Sequence, residues 1–164
     1  MIKFFPTISG FLHQYLCVVP HARKFCDPAT GDLIAQSAKY VQDFSALKAA
    51  QAFQDLEKYA ANLINKPWRH EFREIKVKRT FHNGLKQILI IFLEQTYGGF
   101  YKHNIECALS GAERIFHQMG YVSSGNSHSL VMEGGDGGVD QDKAITVARD
   151  CRLAYTECQV RSLR

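Results

Sequence analysis

No stretch of this sequence approaches the roughly 20 apolar residues that a membrane-spanning helix requires. The longest unbroken run is Ile88-Leu89-Ile90-Ile91-Phe92-Leu93. No CxxC pair occurs among Cys17, Cys26, Cys107, Cys151 and Cys158, and their number is odd. A disulfide framework is therefore not expected, and a reducing, cytoplasmic setting is. Nor does the chain need such a staple, because 164 residues can bury roughly 70% of the surface exposed by the unfolded chain. There is no internal repeat, and no nucleophile-elbow pattern organises the serines, histidines and aspartates. Charge of either sign is modest: 20 Lys+Arg stand against 16 Asp+Glu, a net +4, with 46% hydrophobic residues. Those proportions describe an ordinary globular domain and exclude a disordered chain.

The first residues, MIKFFPTISGFLHQYLCVVP, have a cation before an apolar stretch. Pro6, His13 and Gln14 interrupt it, and no small-x-small cleavage site follows. An amphipathic helix is the expectation, with Ile8, Phe11, Leu12, Tyr15, Leu16 and Val19 on one stripe, rather than a signal peptide. Cys26-Asp27-Pro28-Ala29-Thr30-Gly31-Asp32 is rich in turn formers and separates this N-terminal extension, residues 1–32, from the domain at 33–164. A helical period starts at Leu33. It restarts at Asp43 or Ser45, either of which can cap a helix.

Leu47, Ala50, Phe53, Leu56, Ala60, Leu63 and Ile64 then recur at steps of three and four, predicting an amphipathic helix over 46–65 that Pro67 closes. Trp68 to Glu74 reads as a short helix, and Ile75, Val77 and Phe81 alternate with cations as in a strand. A helix over 107–119 is predicted from Ala108, Leu109, Ala112, Ile115, Phe116 and Met119, with Gly120 as its stop. Inside it Gly111 costs about 1 kcal/mol against Ala, which suggests the close approach of another backbone. A strand candidate follows at Leu130–Glu133, and Asp140 is placed to cap a long last helix. The expected fold class is α+β: mostly helical with a small antiparallel sheet.

Chemistry-bearing residues are sparse. Cys17, His21 and Cys26 are too loosely spaced for a zinc site and lack a fourth ligand. Asp136, Asp140 and Asp142 lie in a glycine-rich loop but miss the EF-hand pattern, and their acids suit the positive start of the last helix. His117 is expected at the surface. Cys151 and Cys158 stand two helical turns apart, about 10 Å along the axis, so they pack in the core rather than bridge. No catalytic residue, metal or cofactor is expected.

The one local anomaly is residues 66–79, where Lys66, Arg69, Arg73, Lys76, Lys78 and Arg79 outnumber Glu71 and Glu74, with Trp68 and Phe72 interleaved. The chain's net charge lies entirely on this stretch, since cations and acids balance elsewhere. Nucleic acid is one ligand for such a mixture, because phosphates reward clustered cations and bases stack on rings. A groove for an acidic or carboxylate-ended peptide would use the same cations. Four apart on the short helix, Trp68 and Phe72 are expected to share a face and turn to the core while the cations stay in water.

Leu56-Glu57-Lys58-Tyr59-Ala60-Ala61-Asn62-Leu63-Ile64 with Pro67-Trp68-Arg69-His70-Glu71-Phe72-Arg73-Glu74-Ile75-Lys76 resembles the central helix and following helix-to-strand signature of PUB domains. Gly111 to Tyr121 is similar to the family's later helix with its Met-Gly-Tyr step. The wording is nearest to PUB domains of the spermatogenesis-associated kind. The resemblance implies a non-catalytic adaptor that binds a short peptide motif of a deubiquitinase or of the valosin-containing AAA ATPase in ubiquitin signalling, with no membrane partner. By position it implies peptide-binding roles for Tyr59 and Phe72 as aromatic pocket residues and for Lys76, Lys78 and Arg79 as the basic strand. Many members carry an Asn before the strand's Phe. Lys78-Arg79-Thr80-Phe81 has none, which moves the expected partner towards a deubiquitinase. Residues 87–106 also depart from the family as an insert, either a packed hairpin or helix or an extra segment from an unusual transcript.

Overall fold

The computed structural model describes the backbone over residues 5–20, 23–76, 101–124, 129–132 and 139–162, and the side chains there except at 5–9, 76 and 102. In chain order the elements are α1 (Phe5–Val18), α2 (Pro28–Tyr40), α3 (Ala46–Asn65), a 3-10 turn (His70–Phe72), β1 (Glu74–Lys76), a π-helical turn (Tyr101–Glu106), α4 (Glu113–Gln118), β2 (Tyr121–Ser123), β3 (Ser129–Met132) and α5 (Gln141–Ser162). The fold is α+β, mostly helical with one three-stranded antiparallel sheet.

Helix α3 occupies the predicted range because local signals bracket it. The Ser45 hydroxyl accepts from the amide of Lys48 at 3.4 Å, and Asp43 takes the left-handed conformation of the preceding turn at φ 55°. Its buried stripe is Ala49, Ala50, Ala52, Phe53, Leu56, Ala60 and Leu63, whereas Leu47, counted in the predicted stripe, is exposed. Against it lies α5, which buries Ala144, Val147, Cys151, Leu153, Ala154 and Cys158. Alanines on both faces and the two cysteines of α5 give the seam many short side chains, among which Phe53, Leu56 and Leu63 of α3 pack. Cys151 and Cys158 are core residues as expected, and Ile145 is exposed.

Two boundaries differ from the sequence expectation, each for a local reason. α2 starts at Pro28 rather than near Leu33, because Asp27 accepts from the amide of Ala29 at 2.8 Å and Pro28 occupies the first turn. The same residue types that make turns also start helices. The predicted helix over 107–119 is divided: the π-helical turn comes first, then turns, then the short α4. Gly111 sits between them at φ 87°, a left-handed conformation that interrupts a helix. No backbone crowds it: a Cβ there would meet Leu33 Cδ1 at 3.7 Å, an ordinary contact. Gly120, at φ 97°, ends α4 as predicted.

The strands are ordered β1-β3-β2, with Ile75 opposite Leu130 and Val122 opposite Val131. Alternation places Ile75, Leu130 and Tyr121 in the core and Val122 and Val131 outside. Of the insert at 87–106, only 101–106 falls among the described residues, and there Tyr101 and Ile105 are fully buried. The alternating positions Val77 and Phe81 lie outside the described residues.

α5 also packs against α1, α2 and α4, so it buries polar groups that need partners. Asp150, 1% exposed, accepts from the amides of Cys26 at 3.0 Å and Asp27 at 2.8 Å. It thereby holds the free start of α2, where a negative charge is favoured. Glu157 pairs with Arg161 at 2.7 Å and with Lys24 at 3.6 Å, and Arg152 reaches Glu57 of α3 at 2.8 Å.

Two outcomes are expected. Asp150→Ala leaves two amides at the start of α2 without their acceptor and costs about 3 kcal/mol in urea denaturation; a loss below about 1 kcal/mol would mean that water replaces the carboxylate. Burial pushes the thiol of Cys151 up, and that of Cys158 up to about 12. Folding therefore favours the neutral thiols: stability is full below the ordinary thiol value of 9.0 and falls as pH rises from there towards about 12. The slope approaches about 1.4 kcal/mol per pH unit for each thiol. Guanidinium midpoints followed upward from pH 9 check this, and the double variant Cys151→Ala, Cys158→Ala flattens the decline.

Candidate functional site

The segment that carried the sequence anomaly leaves α3 at Lys66, whose amide donates to Asn62 O at 2.9 Å, and reaches β1 by way of the 3-10 turn. This makes a corner between the central helix and an outer strand of the sheet. Its interior is aromatic. Phe116 of α4 stands edge-on to Tyr59 at 5.3 Å, Tyr101 at 5.5 Å and Tyr121 at 5.6 Å between ring centroids. Such edge-to-face pairs add about 0.5–1.5 kcal/mol each beyond area burial. The Tyr121 hydroxyl donates to the carbonyl of Phe72, which ties β2 to the 3-10 turn. Burial, followed by the charges of Glu113 and Glu106, raises the Tyr101 phenol above its ordinary value, and burial does the same for Tyr121. Both are held neutral, Tyr101 as a packing group and Tyr121 also as a hydrogen-bond donor.

Tyr59 and Phe72 thus come to one region but in different states. Tyr59 is half-buried on α3, with one edge on Phe116. Phe72 is buried, and the guanidinium of Arg69 lies 5.5 Å from its ring centroid. Lys76 ends β1, so its backbone belongs to the corner. Lys78 and Arg79 lie outside the described residues. Trp68 does not face the core as a helical spacing would have it: it is 68% exposed. The cause is the backbone, since the helical turn here spans only His70–Phe72 and leaves Trp68 ahead of it. An exposed indole beside the exposed Lys66 and Arg69 is a residue that the core does not use.

The cations of this corner are not equivalent. Arg69 is held by Glu71 at 2.7 Å. Arg73 turns inward and donates to the Pro67 carbonyl at 3.4 Å. The charge offered to a ligand is consequently smaller and more local than the sequence count.

A second concavity escaped the sequence reading. A groove of about 350 Å³ lies between α1 and α5, lined by Phe11, Leu12, Tyr15, Arg149, Arg152 and Leu153. The α1 side was visible as an amphipathic stripe, but its partner is a largely polar helix at the other end of the chain.

Among the described residues no group of three His, Cys, Asp or Glu side chains is placed to hold a metal ion. His21 and Asp136 lie outside them. Asp140 begins α5 as expected, accepting from the amide of Lys143 at 3.2 Å. That hydrogen bond and the ammonium of the same lysine hold its carboxyl below the ordinary range. His117 is exposed, with Nδ1 2.7 Å from the Tyr121 carbonyl. No helix among the described residues is long and apolar enough to cross a membrane.

No family model matches the chain. Over 153 residues it is 37% identical to Protein tamozhennic of Drosophila melanogaster, an alignment covering 93% of this chain and 16% of that protein. The chain therefore spans about a sixth of the length of this curated relative.

Trp68 is the sole tryptophan, so its environment can be read directly. Its emission is expected at the wavelength of a hydrated indole and its acrylamide quenching near that of the free amino acid. Trp68→Ala should leave the thermal midpoint unchanged, and a blue-shifted emission would contradict the exposed position.

Proposed function

We propose that this chain is a non-catalytic, peptide-binding adaptor module of the PUB type, acting in ubiquitin-linked signalling by recruiting a deubiquitinase or the valosin-containing AAA ATPase through a short peptide motif. The observation that carries this reading is the corner between α3 and β1. There an indole that the fold leaves exposed stands beside Lys66 and Arg69, and the half-buried Tyr59 belongs to the aromatic cluster behind them. An aromatic surface with a few cations suits a peptide that has an apolar anchor and an acidic side chain or terminal carboxylate. The mostly helical fold with one small antiparallel sheet agrees with what the PUB resemblance implies.

Two features favour a peptide over nucleic acid as the ligand. Arg69 is already paired with Glu71, and Arg73 is turned onto a backbone carbonyl. Neither is then arranged as part of an open basic stripe, which a phosphate backbone would require. Phe72 acts from beneath: buried, with its carbonyl accepting from the Tyr121 hydroxyl, it anchors the 3-10 turn that follows Trp68 and Arg69.

The test is calorimetric titration of the chain with a synthetic peptide of the ATPase C-terminal tail and, separately, with a PUB-binding deubiquitinase. Trp68→Ala and Lys76→Glu are each expected to weaken micromolar binding by about tenfold or more, with unchanged melting. Tyr59→Ala should abolish binding but also lower stability, because its ring supports Phe116. Absence of binding to both probes, or affinities indifferent to both substitutions, would refute the proposal. Tight binding to single-stranded nucleic acid with a steep salt slope would favour the rival reading.

A further inference from the structure

We infer that the groove between α1 and α5 is a second docking site, made for an acidic amphipathic segment of another polypeptide that seats an apolar side chain between Phe11 and Leu153. It lies on elements other than the α3–β1 corner and does not depend on that corner's being occupied.

The recess is built rather than incidental. Leu153 is buried, and Leu12 and Tyr15 pack partly on the core. The Tyr15 hydroxyl donates to the carbonyl of Lys24 at 3.1 Å, which fixes one wall. The other part of that wall, Phe11, is 66% exposed. A large aromatic standing in water at the rim of an apolar recess is the kind of surface that interfaces cover. At about 350 Å³ the recess falls in the lower part of the ~300–1,000 Å³ range of ligand sites, which suits an anchoring side chain better than a whole helix.

Charge decides the occupant. Arg152 is already engaged with Glu57 at 2.8 Å. Arg149 is exposed, its guanidinium lies beside the Cys26 thiol, and no carboxylate among the described residues pairs with it. The first 26 residues, which include α1, carry Lys3, Arg23 and Lys24 and no Asp or Glu. A partner with a carboxylate near its apolar anchor would meet Arg149 across the rim. Two copies of this chain would bring like charges together there, which opposes self-association. A bilayer surface accepts protruding apolar groups and leaves a recess unfilled.

The experiment uses the whole 164-residue chain and a fluorescein-labelled helical peptide of about 14 residues. The peptide is built of alanine with leucines on one stripe and flanking glutamates; a second carries lysine at each glutamate position. Fluorescence anisotropy should show binding of the glutamate peptide and about tenfold or more weaker binding of the lysine peptide. Phe11→Ser should weaken the glutamate peptide by about tenfold, and Arg149→Glu should reverse the preference between the two. Both positions are exposed, and circular dichroism melting verifies the fold of each variant. Equal binding of the two peptides, no binding of either, or insensitivity to both substitutions would overturn the inference. So would sedimentation of the chain with phosphatidylserine vesicles that Phe11→Ser abolishes, or a dimer in analytical ultracentrifugation that the same variant dissolves. Retention of peptide binding by Trp68→Ala separates this site from the α3–β1 corner.

Discussion

Helix α5 is in contact with α1, α2, α3 and α4, and this encirclement is the constraint from which the rest of the fold follows. A helix packed on so many sides is left a narrow solvated stripe, at Asp142, Ile145, Arg149 and Arg152, and buries polar residues on its other faces. The polar residues it retains must then find partners inside, or the desolvation of each costs several kcal/mol. Asp150, Thr156 and Glu157 are all buried. Thr156 bonds back to the carbonyl of Arg152 at 3.0 Å, which a helix can do alone. Glu157 is met from within α5 by Arg161 at 2.7 Å, yet it and Asp150 both draw on the N-terminal part of the chain.

That dependence gives residues 23–32 a structural role of their own. Lys24 meets Glu157, the amides of Cys26 and Asp27 meet Asp150, and Asp27 then caps α2. Three consecutive functions thus sit on four residues, and the far end of α2 is fixed separately by the Ser37 hydroxyl, which accepts from the amide of Ser110 at 3.0 Å. Ser110 precedes Gly111, so the same contact helps place the turn from which α4 starts and with it Phe116. The aromatic centre beneath the α3–β1 corner is in this way linked to the start of the chain through α2. The groove between α1 and α5 is a by-product of the same arrangement: α1 covers only part of the helix that the other elements leave available.

What was legible in the sequence was what local chemistry determines. Ser45 and Pro67 bracket α3, Asp140 begins α5, and Gly120 stops α4, each by a signal within a turn of the boundary. Readings failed where one signal serves two ends. Asp27-Pro28 looks like a turn and is a helix start; the apolar stripe through Ala108 and Ile115 counts side chains but is blind to the left-handed backbone at Gly111. The spacing of Trp68 and Phe72 implies a shared face only if a helix spans both, and it does not. The groove was illegible for another reason, since its walls come from opposite ends of the chain and half of them from a helix whose outward face is polar.

The same distinction bears on the net charge. Counted along the chain, the excess of cations belongs wholly to residues 66–79, and a polyanion would be the natural inference. Counted in space, Arg69 is spent on Glu71 and on the face of Phe72, while Arg73 is folded against Pro67. Elsewhere the balance conceals local asymmetry, because the acids that offset Lys24 and Arg152 are a buried Glu157 and a partly buried Glu57 rather than fully exposed neutralisers. Arg149, in a region of nominal neutrality, is left without a carboxylate among the described residues. Charge available for recognition is therefore what remains after internal pairing. Among the described residues part of that remainder lies beside two exposed aromatics, Trp68 at the α3–β1 corner and Phe11 at the rim of the α1–α5 groove.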